Sequence, residues 1–288
     1  MRAITTMILS MALLALSDMF IKLAAARVPV GQVMLLLSLG GTLLFMLMAR
    51  LRGMKVLTRQ ALHPIVLARN GFEIIGGFGI VLGIAMIPLS VFAAIMQAAP
   101  LVVTLGAALF LREPVGWRRW AAIAVGLTGM LLVIKPGTEA FAPASLFAVI
   151  GVTGLAARDL ITRMIPDEIP SLALSTWGFA ATIPMGAVLL WVMGDTMTPD
   201  VPGLWAISGA VVVTTAGYYG VTTAMRLAPA AIVSPFRYSR LVFTMGLGVL
   251  VFGERPDATT LTGAAIVIAA GLYTFLRERR LARQGQAR

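Results

Sequence analysis

The stretches LSDMFIKLAAARVP (residues 16–29) and ARDLITRMIPDEIP (residues 157–170) stand 141 residues apart, and they match at polar positions: Asp18 falls on Asp159, Lys22 on Arg163 and Pro29 on Pro170. The same offset carries Gly76 and Gly79 onto Gly217 and Gly220, Phe78 onto Tyr219, Pro88 onto Pro229 and Glu113 onto Glu254. One inserted residue, Arg255, moves the last segment to an offset of 142, where Pro114 meets Pro256 and Gly129 meets Gly271. Apolar sequences match one another freely, but Asp, Glu, Pro and Gly in a single register do not. The pattern predicts an internal duplication, with one unit at 1–137 and a second at 138–288 that ends in a basic tail.

The composition says what the units are made of. Of 288 residues, 59% are hydrophobic and 12% charged, against about 25% charged in ordinary soluble domains. The mean hydropathy is +0.93. With no cysteine, a disulfide scaffold, thiolate chemistry and soft-metal sites are excluded. A spanning helix needs about 20 mostly apolar residues. Ten such windows are read, at 4–24, 30–50, 64–87, 88–111, 117–135, 144–164, 170–192, 203–226, 229–252 and 258–276. The first is too long for a secretory signal and carries Asp18 and Lys22, so it is expected to stay in the mature chain. The expected fold is an all-α membrane protein of ten transmembrane helices.

Five spans per unit is an odd number, so the two units must lie upside down relative to each other, an arrangement typical of secondary transporters. The loops on the side of the termini hold fifteen Lys and Arg, and those on the other side hold three (Arg27, Lys135 and Arg255). By the positive-inside rule, both termini are cytoplasmic. The same distribution accounts for the net charge of +11, because a nucleic-acid binder gathers its cations on a polar face instead.

The stretch APLVVTLGAALFLREPVGWRRWAAIAVGLTGMLLVIKPG (99–137) and its partner RLVFTMGLGVLVFGERPDATTLTGAAIVIAAGLYTF (240–275) resemble the closing elements of the two halves of an EamA-type member of the drug/metabolite transporter superfamily. The resemblance covers the whole chain. It implies a bacterial inner-membrane carrier of a small organic solute, working without ATP. The sequence also resembles the riboflavin-importing branch, with export of amino acids or other small metabolites as the alternative. Arg237-Tyr238-Ser239-Arg240 departs from the family, many of whose members have small or apolar residues there.

Charge at bilayer depth marks candidate function. Arg240 is expected near the midplane and Arg237 one turn earlier, suited to a planar, carbonyl-rich or anionic solute. A structural pair of Arg240 with Glu73 is the competing reading. Arg69 and Glu73 are four apart and are expected to pair or to carry a proton. Asp18 with Lys22, and Asp159 with Arg163, read as helix-end pairs. Tyr218, Tyr219, Tyr238 and Trp177 join Arg237 and Arg240 as the expected substrate-binding set, since tyrosine stacks on a flat ring and still presents a hydroxyl. Pro100 and Pro235 are expected to kink their helices.

No enzyme is expected. The single histidine, His63, sits at a helix start, and no HExxH or Walker motif occurs. An aspartyl pair of Asp18 and Asp159 would be held ionised by the cations beside it. A channel and a scaffold are weaker alternatives. The expected partners are a small-molecule solute and the lipid bilayer, with a homodimer left open and no cofactor, metal or nucleic acid.

Overall fold

The structure, a computed structural model, describes residues 1–112, 116–166, 168–193, 200–228 and 230–286. The repeat marks Glu113, Pro114 and Pro229 lie outside these, as does Arg288. Every regular element among the described residues is a helix. In order they are α1 (Arg2–Ala25), α2 (Val30–Leu51), α3 (Pro64–Met86), α4 (Leu89–Met96), α5 (Ala99–Phe110), α6 (Trp117–Ile134), α7 (Ser145–Thr162), α8 (Ser171–Met193), α9 (Val201–Leu227), α10 (Ala230–Val233), α11 (Ser239–Phe252) and α12 (Ala258–Gln286).

Proline sets many of the starts, because its missing N–H is not needed in a first helical turn. Pro29 and Pro88 are the N-caps of α2 and α4, and Pro64 opens α3. The stops use left-handed residues, Lys135 after α6 (φ 55°) and Gly253 after α11 (φ 64°), which turn the chain back on the last helical carbonyls.

Nine helical stretches among the described residues are long and apolar enough to cross a membrane. One of them, Leu89–Phe110, is divided into α4 and α5 by a turn at Gln97–Ala98, just ahead of Pro100. The expected window 229–252 needs correction, since it is not one helix. It comprises α10, a 3-10 turn at Ser234–Tyr238 and the 14-residue α11. Pro235 stands in the first turn of the 3-10 segment, where it removes the backbone donor that a continuous helix would need.

The outward faces are apolar. Leu250 is 83% exposed and Trp191 83%, a surface that suits hydrocarbon. Inside, α1 packs on α9, α3 on α7, α2 on α8 and α6 on α12. Moving along the chain by 141 residues turns α1 into α7 and α3 into α9, so the first two contacts are the same contact exchanged. They agree residue by residue. Leu14 covers Gly217 as Leu155 covers Gly76, and Ser10 meets Gly220 as Gly151 meets Gly79. Between α3 and α7 the backbones touch: a Cβ on Gly79 would fall 2.3 Å from the Gly151 amide nitrogen, and one on Gly154 2.5 Å from that of Gly76. Small residues permit this approach, and close packing in turn drives membrane helices together.

Candidate functional site

Among the described residues, two buried polar clusters and a cleft beside the second of them follow from this packing. In the first cluster, Asp18 of α1 is 2% exposed. It accepts from Arg240 twice, Nη2 to Oδ1 at 2.7 Å and Nε to Oδ2 at 3.2 Å, and from Thr244 Oγ1 at 3.3 Å. Arg240 reaches it because the 3-10 turn ends just before, at Tyr238. Two expectations are thereby corrected. The partner of Arg240 is Asp18, and Glu73 has other partners. Lys22 does not pair with Asp18, whose oxygens are filled by the guanidinium fork. Lys22 extends past the end of α3, donating to the Ile87 carbonyl at 2.5 Å and lying 3.7 Å from Glu254.

In the second cluster, Glu73 stands between two arginines, with Arg69 Nη2 at 2.7 Å and Arg158 Nη1 at 3.0 Å. The expected Arg69–Glu73 pair is therefore present. Arg69, 2% exposed, also donates to the Leu174 carbonyl at 3.1 Å and to Asn70 Oδ1 at 2.9 Å. The Tyr218 hydroxyl accepts from Arg69 at 3.1 Å and from Arg158 at 3.3 Å. Arg158 holds Asp159 Oδ1 through Nη2 at 2.5 Å and Nε at 3.0 Å. The expected Asp159–Arg163 pair is accordingly replaced: Arg163 is the exposed C-cap residue of α7, while Arg158 lies inside with the carboxylate. Two cations and two anions leave this cluster formally neutral, which offsets much of the cost of burying them. At the position 141 residues from Arg158 stands Ser17, and at that from Glu73 stands Thr214. These two hydroxyls hydrogen-bond each other, so one side of the molecule carries an ion pair where the other carries a hydroxyl pair.

The cleft measures about 190 Å³ and opens where α2 ends, α8 begins and α9 approaches its end. Phe45, Arg52 and Met54 form one wall, Ser171 and Ser175 another, and Tyr219, Thr222 and Thr223 the third. Arg52 donates to the Tyr219 hydroxyl at 2.5 Å, and its guanidinium carbon lies 4.8 Å from the centre of that ring. The Phe45 ring joins the cleft to the second cluster, at 5.8 Å from Tyr218 and 5.3 Å from Phe179. The cleft is smaller than typical small-molecule sites, about 300–1,000 Å³. Its lining of aromatic rings, hydroxyls and one arginine suits a flat, partly polar solute.

The expected binding residues are distributed unevenly around this geometry. Tyr219 lines the cleft, and Tyr218 stands behind it in the second cluster. Arg240 is in the first cluster, and Arg237 is half-buried on the 3-10 turn, without an ion pair to any described residue. Tyr238 is buried against α12, where Gly271 leaves space for its hydroxyl. Trp177 donates Nε1 to the Val56 carbonyl at 2.8 Å and ties down the loop after α2. The sequence reading passed over Phe45, Arg52 and Arg158. Arg158 had a signal, a polar mate at Ser17 beside the repeated aspartates, whereas Arg52 reads as one more loop cation.

A model of the EamA-like transporter family matches residues 1–135 and, a second time, residues 142–276. The chain belongs to this family. As an EamA-like transporter it is a multi-pass membrane protein. It is 30% identical over 224 residues to a riboflavin transporter of Rhizobium johnstonii, covering 77% of this chain and 72% of the relative. It is 25% identical over 201 residues to an S-adenosylmethionine uptake transporter of Rickettsia bellii, covering 69% and 67%. It is 30% identical over 263 residues to the pseudopaline exporter CntI of Pseudomonas aeruginosa, covering 87% of each. A solved crystal structure aligns over 97% of both chains with a TM-score of 0.63 at 20% identity, a likeness of fold.

Proposed function

We propose that this EamA-like transporter is a secondary carrier that brings riboflavin, or a solute of the same flat and carbonyl-rich kind, across the bacterial inner membrane by alternating access. The observation that carries the reading is the Arg52–Tyr219 contact in a cleft walled by Phe45 and by serine and threonine hydroxyls. A ring system can stack there while its carbonyls meet a guanidinium fork. The riboflavin transporter of Rhizobium johnstonii among the relatives supports the choice.

The same reading takes residues 1–137 and 138–288 as inverted halves with ten crossings, and it places both termini in the cytoplasm. The exchanged α1–α9 and α3–α7 contacts support the halves. The broken stretch from Ala230 to Phe252 supports the tenth crossing, because it spans roughly 37 Å if collinear, more than the ~30 Å of a hydrocarbon core. In this orientation the cleft opens to the cytoplasm. Arg237 and Arg240 flank the path between the two ends, with Glu73 the candidate coupling group.

Uptake of labelled riboflavin by a flavin-auxotrophic bacterium tests the proposal. The wild type is expected to accumulate flavin, while Arg52→Ala and Tyr219→Ala, matched for membrane expression, lose most of it. No uptake by a well-expressed wild type would sink the flavin reading. Export of an amino-acid-like metabolite then takes its place, favoured by the span of the pseudopaline exporter match.

A further inference from the structure

Far from the cleft, α6 and α12 meet at a corner rich in arginine. Gly116, the N-cap of α6, contributes no side chain to the helix start, and the first turn reads Trp117-Arg118-Arg119-Trp120 without an acid. Arg277 of α12 lies over this start, its Nη2 3.9 Å from where a Cβ on Gly116 would sit. Arg277 Nη1 is shielded from solvent and has no hydrogen-bond acceptor among the described residues. Arg118 lies 5.3 Å from the centre of the Trp117 ring. Neither Arg118 nor Arg277 forms an ion pair with a described residue. Trp117 is 74% exposed and Trp120 42%, and outward indoles of this kind sit at headgroup depth. The 29 residues of α12 measure about 44 Å, so the helix outruns the bilayer core, and after Arg277 its sequence carries one acid, Glu278, against three arginines, Arg279, Arg280 and Arg283.

We propose that this corner binds the phosphate of an anionic phospholipid. Charge complementarity carries the assignment. Loop arginines alone would satisfy the rule that sets topology. That rule does not account for an arginine folded over a helix start that no described side chain caps, with a shielded donor that finds no acceptor among the described residues. A phosphate there would meet the Arg277 and Arg118 forks and the positive end of the α6 dipole, while its acyl chains lie along the apolar outer faces of α6 and α12. The site is independent of the solute cleft, so it stands whichever solute is carried.

The test is lipid retention by the purified full chain, read by native mass spectrometry and by thermal unfolding in detergent. Phosphatidylglycerol is the probe, phosphatidylcholine the neutral control and inorganic phosphate the headgroup alone. The wild type is expected to hold phosphatidylglycerol in preference to phosphatidylcholine and to be stabilised by it, with no effect of inorganic phosphate. Arg118→Gln/Arg277→Gln should weaken that binding by about 10- to 30-fold, with unchanged unfolding in phosphatidylcholine. Equal retention by the double variant would overturn the proposal, and so would protection by inorganic phosphate, which would mark a plain anion site. If the double variant does not survive extraction, the wild type decides: co-purified lipid at the bulk membrane ratio refutes the site, and enrichment of the anionic lipid supports it.

Discussion

Arg240 grips Asp18 at two points, 2.7 Å and 3.2 Å, across 222 residues of chain, and so fastens the first helix to the first turn of α11, just after the 3-10 break. With the Asp18 side chain 3% exposed, the two charges are worth keeping only together.

Removing one partner should therefore cost more than removing both. Arg240→Ala is expected to lose about 3–5 kcal/mol by stranding a buried carboxylate, and Asp18→Asn/Arg240→Gln should recover a large part of it. Thermal unfolding of the solubilised protein reads both. A double variant as unstable as the single one would argue against the pair.

The α3–α7 seam predicts a contrast between glycines of one helix. Gly79→Ala drives a methyl into the Gly151 backbone and should cost about 1–3 kcal/mol. Gly71→Ala, with nothing within 4 Å of the new atom, should be neutral or slightly stabilising. Similar melting temperatures for the two variants would mean that the seam yields.

At the opposite end from the cleft, Glu254 accepts the backbone N–H groups of Leu89 and Ser90 at 2.6 and 2.8 Å and the Ser90 hydroxyl at 2.7 Å, with Lys22 beside it. This carboxylate pins the start of α4. The chain has no cysteine, so Ile87→Cys gives a clean reporter of that end. In an otherwise intact chain it should react slowly with a soluble maleimide, and Glu254→Gln should speed the reaction several-fold. An unchanged rate would show that the end is held shut by packing alone.

Asp257 carries a pH signature. Lys135 and the Thr260 amide, which donates at 2.9 Å, hold its carboxyl well below the usual carboxylate range. Its folded form favours the ionised state, so the contribution is complete above the unfolded value near 4 and fades as pH falls toward the folded one. Asp257→Ala should cost about 1 kcal/mol at neutral pH, the usual worth of a helix cap, and the gap to wild type should narrow in acid. A gap independent of pH would remove the charge from the account.

The helices were legible because a bilayer demands long apolar runs, and the breaks because Pro100 and Pro235 cannot donate. The 3-10 form of residues 234–238 was not, since a proline announces an interruption and not its geometry. Side-chain pairing was legible only within one helix, as for Arg69 and Glu73. Asp18 and Lys22 have the spacing of a pair, yet Asp18 turns to Arg240 of the second half, and Lys22 to the Ile87 carbonyl and to Glu254. Those partners depend on which helices are neighbours, which hydrophobicity does not encode. The hydrogen bond from the Trp177 indole to the Val56 carbonyl was not legible either, because it lands in a loop with no periodic signal.

The hydroxyl pair of Ser17 and Thr214, standing where symmetry would put the ions Arg158 and Glu73, has an energetic meaning. In the alternating access proposed above, exchanging the roles of two chemically identical halves would turn the inward-open form into the outward-open one with no change in free energy. An ion pair on one arm and two neutral hydroxyls on the other lift that degeneracy. On that proposal, the resting preference between the two forms would be written into the chain itself, before any gradient acts on it.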